Sequence, residues 1–184
     1  MLRRVLDRNH GRIDHHPDGK LVEQIDIVPL DVFDETDPVP EFFNVFHVTT
    51  RKRVIRRELL FDEGQRYRQD RIDESARNLR DLPQLSLVLI IPLRGSRPDR
   101  VRVLVITKDV WSLRLNSDVG VSTGTLDYLV LQPSEINLLG TRDAVSALFV
   151  LRQDTFSLGG AFADPRIAGS RFQASFGGNV IVNR

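Results

Sequence analysis

Apolar and polar residues alternate with a period of two along most of the chain, and helical spacing takes over between residues 49 and 82. The run "KLVEQIDIVPLDVF" sets Leu21, Ile25 and Ile27 among polar neighbours, with Glu23 out of pattern, and predicts a strand. Thr49 or Thr50 is suited to cap a helix running through Leu60, with Val54, Ile55 and Leu59 on one face. Asp70 is suited to cap a second helix, in which Ile72, Ala76, Leu79 and Leu82 recur at spacings of four and three. Pro83 ends it, since proline has no N–H to continue the helix. Two β-branched runs follow, "LSLVLIIPL" (85–93) and "RVRVLVITKDV" (100–110), joined by the turn-rich "RGSRPD". The order strand, helix, helix, strand, strand is that of an α+β domain, with Tyr67, Ile72, Ala76, Leu79 and Leu82 as expected core.

Beyond residue 110 no helical spacing recurs. "WSLRLNSDVGVSTG" puts Leu113, Leu115, Val119 and Val121 on one face and Ser112, Arg114, Asn116, Asp118 and Ser122 on the other. "AVSALFVLRQD", "FSLGGAFAD" and "RFQASFGGNVIVN" alternate again; in the last, Phe172, Ala174, Phe176, Val180 and Val182 oppose Arg171, Gln173, Ser175 and Asn179. Segments of about ten residues, joined by turns, suit an antiparallel barrel with lipid outside and water within. A soluble sandwich produces the same alternation, so periodicity leaves both open.

Charge separates the two halves. Residues 1–110 hold 20 basic and 19 acidic side chains, residues 111–184 only 6 and 6 but 8 of the 12 glycines, which predicts a domain boundary around Asp109 to Trp111. The net charge of +1 provides no bulk field for phosphates. Locally, residues 51–57 carry five basic side chains ahead of a glycine and a second helix, a pattern that raises a DNA-binding helix pair. That second helix, 70–82, has Asp70, Asp73, Glu74 and Asp81 against three arginines, the wrong charge for a reader of bases. Arg77 with Asp73 and Asp81 instead reads as solvated pairs four residues apart. Cysteine is absent, which excludes disulfides and thiolate metal sites. His10, Asp14, His15 and His16 are metal-ligating types without a framework to fix their geometry, and residues 1–20 read as a disordered or fragment end. No nucleophile, base and orienting acid come together, so neither catalysis nor a cofactor or metal is expected.

Two stretches carry a family resemblance. "TTRKRVIRRELLFDEGQRY", "RIDESARNLRDLPQLSLVLI" and "VRVLVITKD" resemble the polypeptide-transport-associated (POTRA) module, placing it at residues 21–110. "WSLRLNSDVGVS", "EINLLGTRD" and "FADPRIAGSRF" resemble the start of the barrel of the BamA and TamA group of outer-membrane assembly proteins, the bacterial surface antigens. In that family an Asn-Leu-Leu-Gly turn and an Asp-Pro turn recur between early strands.

The resemblance implies a periplasmic domain that binds unfolded outer-membrane proteins by adding their strands to a sheet edge, here Leu85, Ser86, Leu87, Val88, Leu89, Ile90 and Ile91. It implies a first barrel strand containing Ser112, Leu113, Arg114, Leu115, Asn116, Val119 and Val121. Expected partners are unfolded outer-membrane proteins, outer-membrane lipid and accessory lipoproteins or periplasmic chaperones, with no nucleic acid. A two-partner-secretion transporter shares the same parts, and a soluble DNA-binding protein is the distant alternative. About five strand-like segments follow residue 110, whereas closed single-chain barrels need at least ~8. Residues 111–184 are thus expected to be the N-terminal part of a barrel, and this chain alone is expected neither to insert nor to assemble anything. Expression in lipid vesicles should give no heat-modifiable gel shift and no full protease protection; both together would overturn that expectation.

Overall fold

The computed structural model describes residues 12–32 and 48–183. The chain divides into two compact units, Met1–Asp31 with Arg51–Asp109, and Val32–Thr50 with Val110–Arg184.

The first unit contains β1 (Leu21–Leu30), α1 (Lys52–Arg57), α2 (Gln69–Arg80), β2 (Leu85–Arg94) and β3 (Arg100–Asp109). The sheet order is β1-β3-β2, with β3 central, parallel to β1 and antiparallel to β2. Alternation along the central strand directs Val101, Val103 and Val105 into a core shared with Ile55, Tyr67, Ile72, Leu79 and Leu82. Its other side chains, Leu104 and Ile106, join Leu93, Val28, Leu89 and Ile91 in a second apolar cluster. Tyr67 is buried and its hydroxyl donates to Gln69 Oε1 at 3.1 Å. Burial pushes its pKa up to about 12, so the phenol stays neutral.

Both helix caps differ from expectation, for the same reason: the capping side chain is committed elsewhere. α1 begins after Arg51 with no side-chain cap, because Thr50 is buried and its Oγ1 accepts from Asn137 Nδ2 at 3.0 Å. The helix stops at Arg57 rather than Leu60, whose N–H turns to Ser75 Oγ at 2.9 Å. α2 starts at Gln69, one residue before Asp70, whose carboxylate pairs with Arg68 at 2.6 Å. That guanidinium hydrogen bond holds the Asp70 carboxyl below its usual range. Asp18 receives the Gln69 N–H instead, at 3.3 Å. Arg77 pairs with Glu74 and not with Asp73 or Asp81, while Asp73 accepts from Gln69 Nε2 at 2.8 Å. Among the basic residues of α1, Arg56 pairs with Asp62 at 2.8 Å, and Lys52, Arg53 and Arg57 are exposed.

The second unit is an antiparallel meander of β4 (Leu113–Ser122), β5 (Thr125–Leu138), β6 (Asp143–Arg152), β7 (Thr155–Asp164) and β8 (Ala174–Asn183). Thr123 and Gly124, with φ of 45° and 80°, form the two-residue link from β4 to β5, a positive-φ turn whose twist matches antiparallel strands. Between β5 and β6, Leu139, Gly140 and Arg142 all take positive φ. Asn137, 2% exposed, organises that turn: its Oδ1 accepts the Arg142 N–H at 3.1 Å, and its Nδ2 reaches Val48 O at 3.2 Å as well as Thr50.

Replacing Asn137 by Ala removes all three bonds. It should lower unfolding stability of the full chain by about 1–3 kcal/mol in a urea titration; an unchanged midpoint would show that the turn does not depend on this amide.

Candidate functional site

Two features of the backbone and side-chain pattern have functional potential: the outer edges of the three-stranded sheet and the two faces of the five-stranded one. With β3 in the middle, β1 and β2 each expose a row of outward donors and acceptors.

The β1 edge is covered as far as Ile25, and Ile27 beyond it has no backbone partner on its outer side among the described residues. Val22 donates to Gln65 O and accepts from Gly64 N, both at 2.8 Å, and Tyr67 N–H reaches Lys20 O at 2.7 Å. Ile25 N–H is capped by Glu63 Oε1 at 2.8 Å. Counting by twos from Ile25, the next outward positions are Ile27 and Pro29, and Pro29 has no N–H to offer.

On β2, residues 12–14 run antiparallel to the strand's C-terminal end. Asp14 N–H donates to Pro92 O at 3.0 Å, and Arg94 N–H donates to Arg12 O at 2.8 Å. Pro92 therefore stands where its missing N–H would point away from β3, so the ladder loses nothing. The same count by twos makes Ile90 and Val88 the next outward positions, and neither has a backbone partner on that side among the described residues.

The expected binding stretch is thus divided by geometry. Val88 and Ile90 present backbone outward, while their side chains pack toward the helices. Leu87, Leu89 and Ile91 turn their backbone groups inward to β3. Leu85 is buried with its N–H on Leu82 O at 3.0 Å. Ser86 sits at a register shift, its hydroxyl donating to Lys108 O at 3.0 Å. Leu87, Leu89 and Ile91 therefore offer no outward backbone pair, because only alternate residues of a strand can face an edge.

Residues 12–20, expected as part of a disordered end, hold defined positions; residues 1–11 lie outside the described residues. Asp14 anchors them, 6% exposed, with Lys20 Nζ at 2.6 Å and the His16 N–H at 3.1 Å. Burial alone would raise its pKa, but the Lys20 and His16 hydrogen bonds outweigh it and hold the carboxyl below the usual range. The short polar stretch has no periodicity, so pattern reading had nothing by which to find this cover.

In the five-stranded sheet, residues opposite one another share a face. Val119, Leu129, Leu151, Phe156 and Val182 form one cross-strand row, and Ser117, Leu131, Phe149, Leu158 and Val180 the next. Phe162 and Phe176 stack on that face with ring centroids 5.3 Å apart. The opposite face carries Arg114 and Asn116 across from Ser134 and Gln132, with Ser146, Ser157, Ser175 and Asn179 farther along. Gly120 lies under the Tyr128 ring there, where any Cβ would collide with the ring carbons.

Of the expected first barrel strand, Leu113, Leu115, Val119 and Val121 share the apolar face and are strongly exposed, Leu115 by 64%. Ser112 falls just outside β4; it is buried and its carbonyl accepts the Ile136 N–H at 3.3 Å. The sheet is open, with β4 and β8 at its edges. Among the described residues no helix is long and apolar enough to cross a membrane, which leaves crossing by strands untouched.

No family model and no curated protein matches this sequence. Among solved structures the chain is similar to BamA from Haemophilus ducreyi, in a crystal structure lacking POTRA domains 1–3. The TM-score is 0.63 at 18% identity, over 88% of this chain and 27% of that one. CdiB from Acinetobacter baumannii aligns over 80% of this chain and 25% of its own, with a TM-score of 0.44 and 13% identity. The likeness to BamA makes the fold that of part of a BamA-type β-barrel protein, mostly strands in two unclosed sheets. This chain spans about a quarter of the length of either neighbour.

Because the Asp14 carboxyl is held below its ordinary 3.8, its contribution to docking residues 12–14 is complete above that pH and is lost as pH falls through the lower folded value. Hydrogen-exchange protection of the Arg94 amide should stay level from neutrality down to pH 3.8 and decline below it. Asp14→Asn should reduce it near neutrality and converge with the wild type at the acid end, and equal protection in the variant at neutral pH would contradict this anchor.

Proposed function

We propose that the chain is part of an outer-membrane protein assembly machine. Residues 21–110 act as a POTRA domain in the periplasm, and residues 111–184 form the N-terminal part of the barrel. The observation that carries this reading is the open backbone at Val88 and Ile90, two successive outward residues of β2 with neither N–H nor C=O paired on that side among the described residues. An extended segment laid there gains two N–H and two C=O partners at once, which is how strand addition binds chains of varied sequence: main-chain bonds supply affinity without reading side chains.

The five-stranded sheet supports the same reading. Its apolar rows suit lipid and its serine-, asparagine- and arginine-bearing face suits a wet lumen. Burying that apolar face against lipid removes its exposed leucine, valine and phenylalanine side chains from water. The outer edge of β4 offers a second pairing row, for client strands entering the membrane. Unfolded outer-membrane proteins are the proposed clients, with lipid, accessory lipoproteins and periplasmic chaperones as neighbours.

The test exploits Pro92, which shows that this edge tolerates proline at an outward position. Ile90→Pro deletes an outward N–H and spares the β2–β3 ladder, whereas Leu89→Pro deletes an inward one and should unfold the domain. The peptide RFQASFGGNVIVN (171–183) serves as a barrel-strand probe. Ile90→Pro should keep wild-type circular dichroism while binding this peptide about tenfold or more weakly. Undiminished binding by a folded Ile90→Pro chain would refute strand addition at β2. A protein that secretes one partner would bind that partner's strands alone, whereas an assembly factor binds strands from several clients.

A further inference from the structure

The link between β2 and β3, "RGSRP" and Asp99, is tightly closed. Gly95 N–H donates to Arg100 O at 3.2 Å, and Arg100 N–H donates to Arg97 O at 3.0 Å. Ser96 N–H is held by Glu23 Oε2 at 2.8 Å. Glycine is required at 95, because a Cβ there would lie 2.7 Å from the Arg100 carbonyl carbon and 2.8 Å from its Cβ. The loop thereby sets Arg94, Arg97 and Arg100 around one cavity of about 480 Å³, which His16, Lys20, Ser96 and Asp14 complete.

The charges on this wall do not balance. Lys20 is paired with Asp14 at 2.6 Å, Asp14 also attracts Arg94, and Glu23 on the Ser96 N–H attracts Arg100, so two carboxylates face four cations. Arg94, Arg97 and Arg100 have no side-chain hydrogen bond or ion pair among the described residues, and Arg100 Nε is buried without a partner. Two residues along β3, Arg102 likewise has a buried Nε without a partner, but its guanidinium has an acid, Asp26, at 2.7 Å, which Arg100 lacks. Buried polar groups are normally partnered, and a buried guanidinium nitrogen without an acceptor asks for one from outside.

We propose that this cavity is a binding site for a phosphoryl group carried on a small organic body. Three guanidinium groups offer more donors than the two oxygens of a carboxylate can use, whereas a phosphate monoester provides three acceptor oxygens and close to two negative charges. The cavity is large enough for more than the bare ion. The site lies at the strand link, away from the Val88–Ile90 backbone, and does not depend on the strand-addition reading.

The full chain in non-ionic detergent is titrated calorimetrically with glycerol 3-phosphate, and in parallel with liposomes of phosphatidylcholine with and without phosphatidic acid. Saturable binding of glycerol phosphate, absent with chloride at equal ionic strength, is expected. Arg94→Ala and Arg97→Ala, both at exposed positions where folding is preserved, should each weaken it about tenfold. Arg53→Ala on α1 should leave it unchanged. If phosphatidic acid liposomes compete for the site, its ligand is a lipid headgroup; if only the soluble ester binds, it is a free phosphomonoester, and either result supports the site. Binding no tighter than chloride, or equal binding by Arg94→Ala, Arg97→Ala and wild type, would overturn it.

Discussion

A strand can satisfy all of its backbone groups only when it is flanked on both sides, so the pairing of β3 between β1 and β2 moves the burden of satisfaction to the outer edges. The chain meets that burden unevenly. On β1 it supplies residues 64–67, a glutamate side chain and a proline, leaving Ile27 between the last two; on β2, among the described residues, it supplies residues 12–14. The longer gap is the one on β2, two outward residues bounded on one side by Pro92 and on the other by the register shift near Ser86. The functional reading follows from that gap more than from any side chain, since Val88 and Ile90 direct their side chains into the helix-covered core.

The same constraint acts on the second unit, where the proposed solvent on one face is lipid. An open sheet with one apolar face can settle in lipid only if its edge bonds are completed, because hydrocarbon offers no replacement partners. The apolar rows running from Val119 to Val182 are continuous over five strands, and the turns between them are built from local chemistry: a Thr-Gly pair, the Asn137 amide, and the Asp164 carboxylate that accepts the Arg166 N–H at 2.8 Å. Side-chain alternation thus gathers one continuous apolar surface, and in the proposed membrane setting edge pairing decides when it can be used.

Much of this was legible in the sequence because period carries face. Most strands of both units, β5 excepted, and the core residues Ile72, Ala76, Leu79 and Leu82 follow from spacing, and all four residues are buried. What spacing could not carry was competition between partners. Thr50 is a good cap by type, but an amide 87 positions away takes its hydroxyl. Asp70 is a good cap as well, and Arg68 two residues earlier takes its carboxylate. A list of consecutive residues, Leu85 to Ile91, also ignores that alternate backbone groups of a strand face opposite ways, which only the pairing of β2 with β3 resolves. The cover formed by Arg12 to Asp14 was invisible, being a tertiary contact made by three residues with no pattern.

Amide hydrogen exchange resolved residue by residue along β2, with and without the 171–183 peptide, tests the central claim most directly. In the free chain the Val88 and Ile90 amides should exchange fast while those of Leu89 and Ile91, bonded to β3, are protected; the peptide should slow Val88 and Ile90 selectively. Protection of Val88 and Ile90 in the free chain, or no change when the peptide saturates, would contradict an open edge that binds strands.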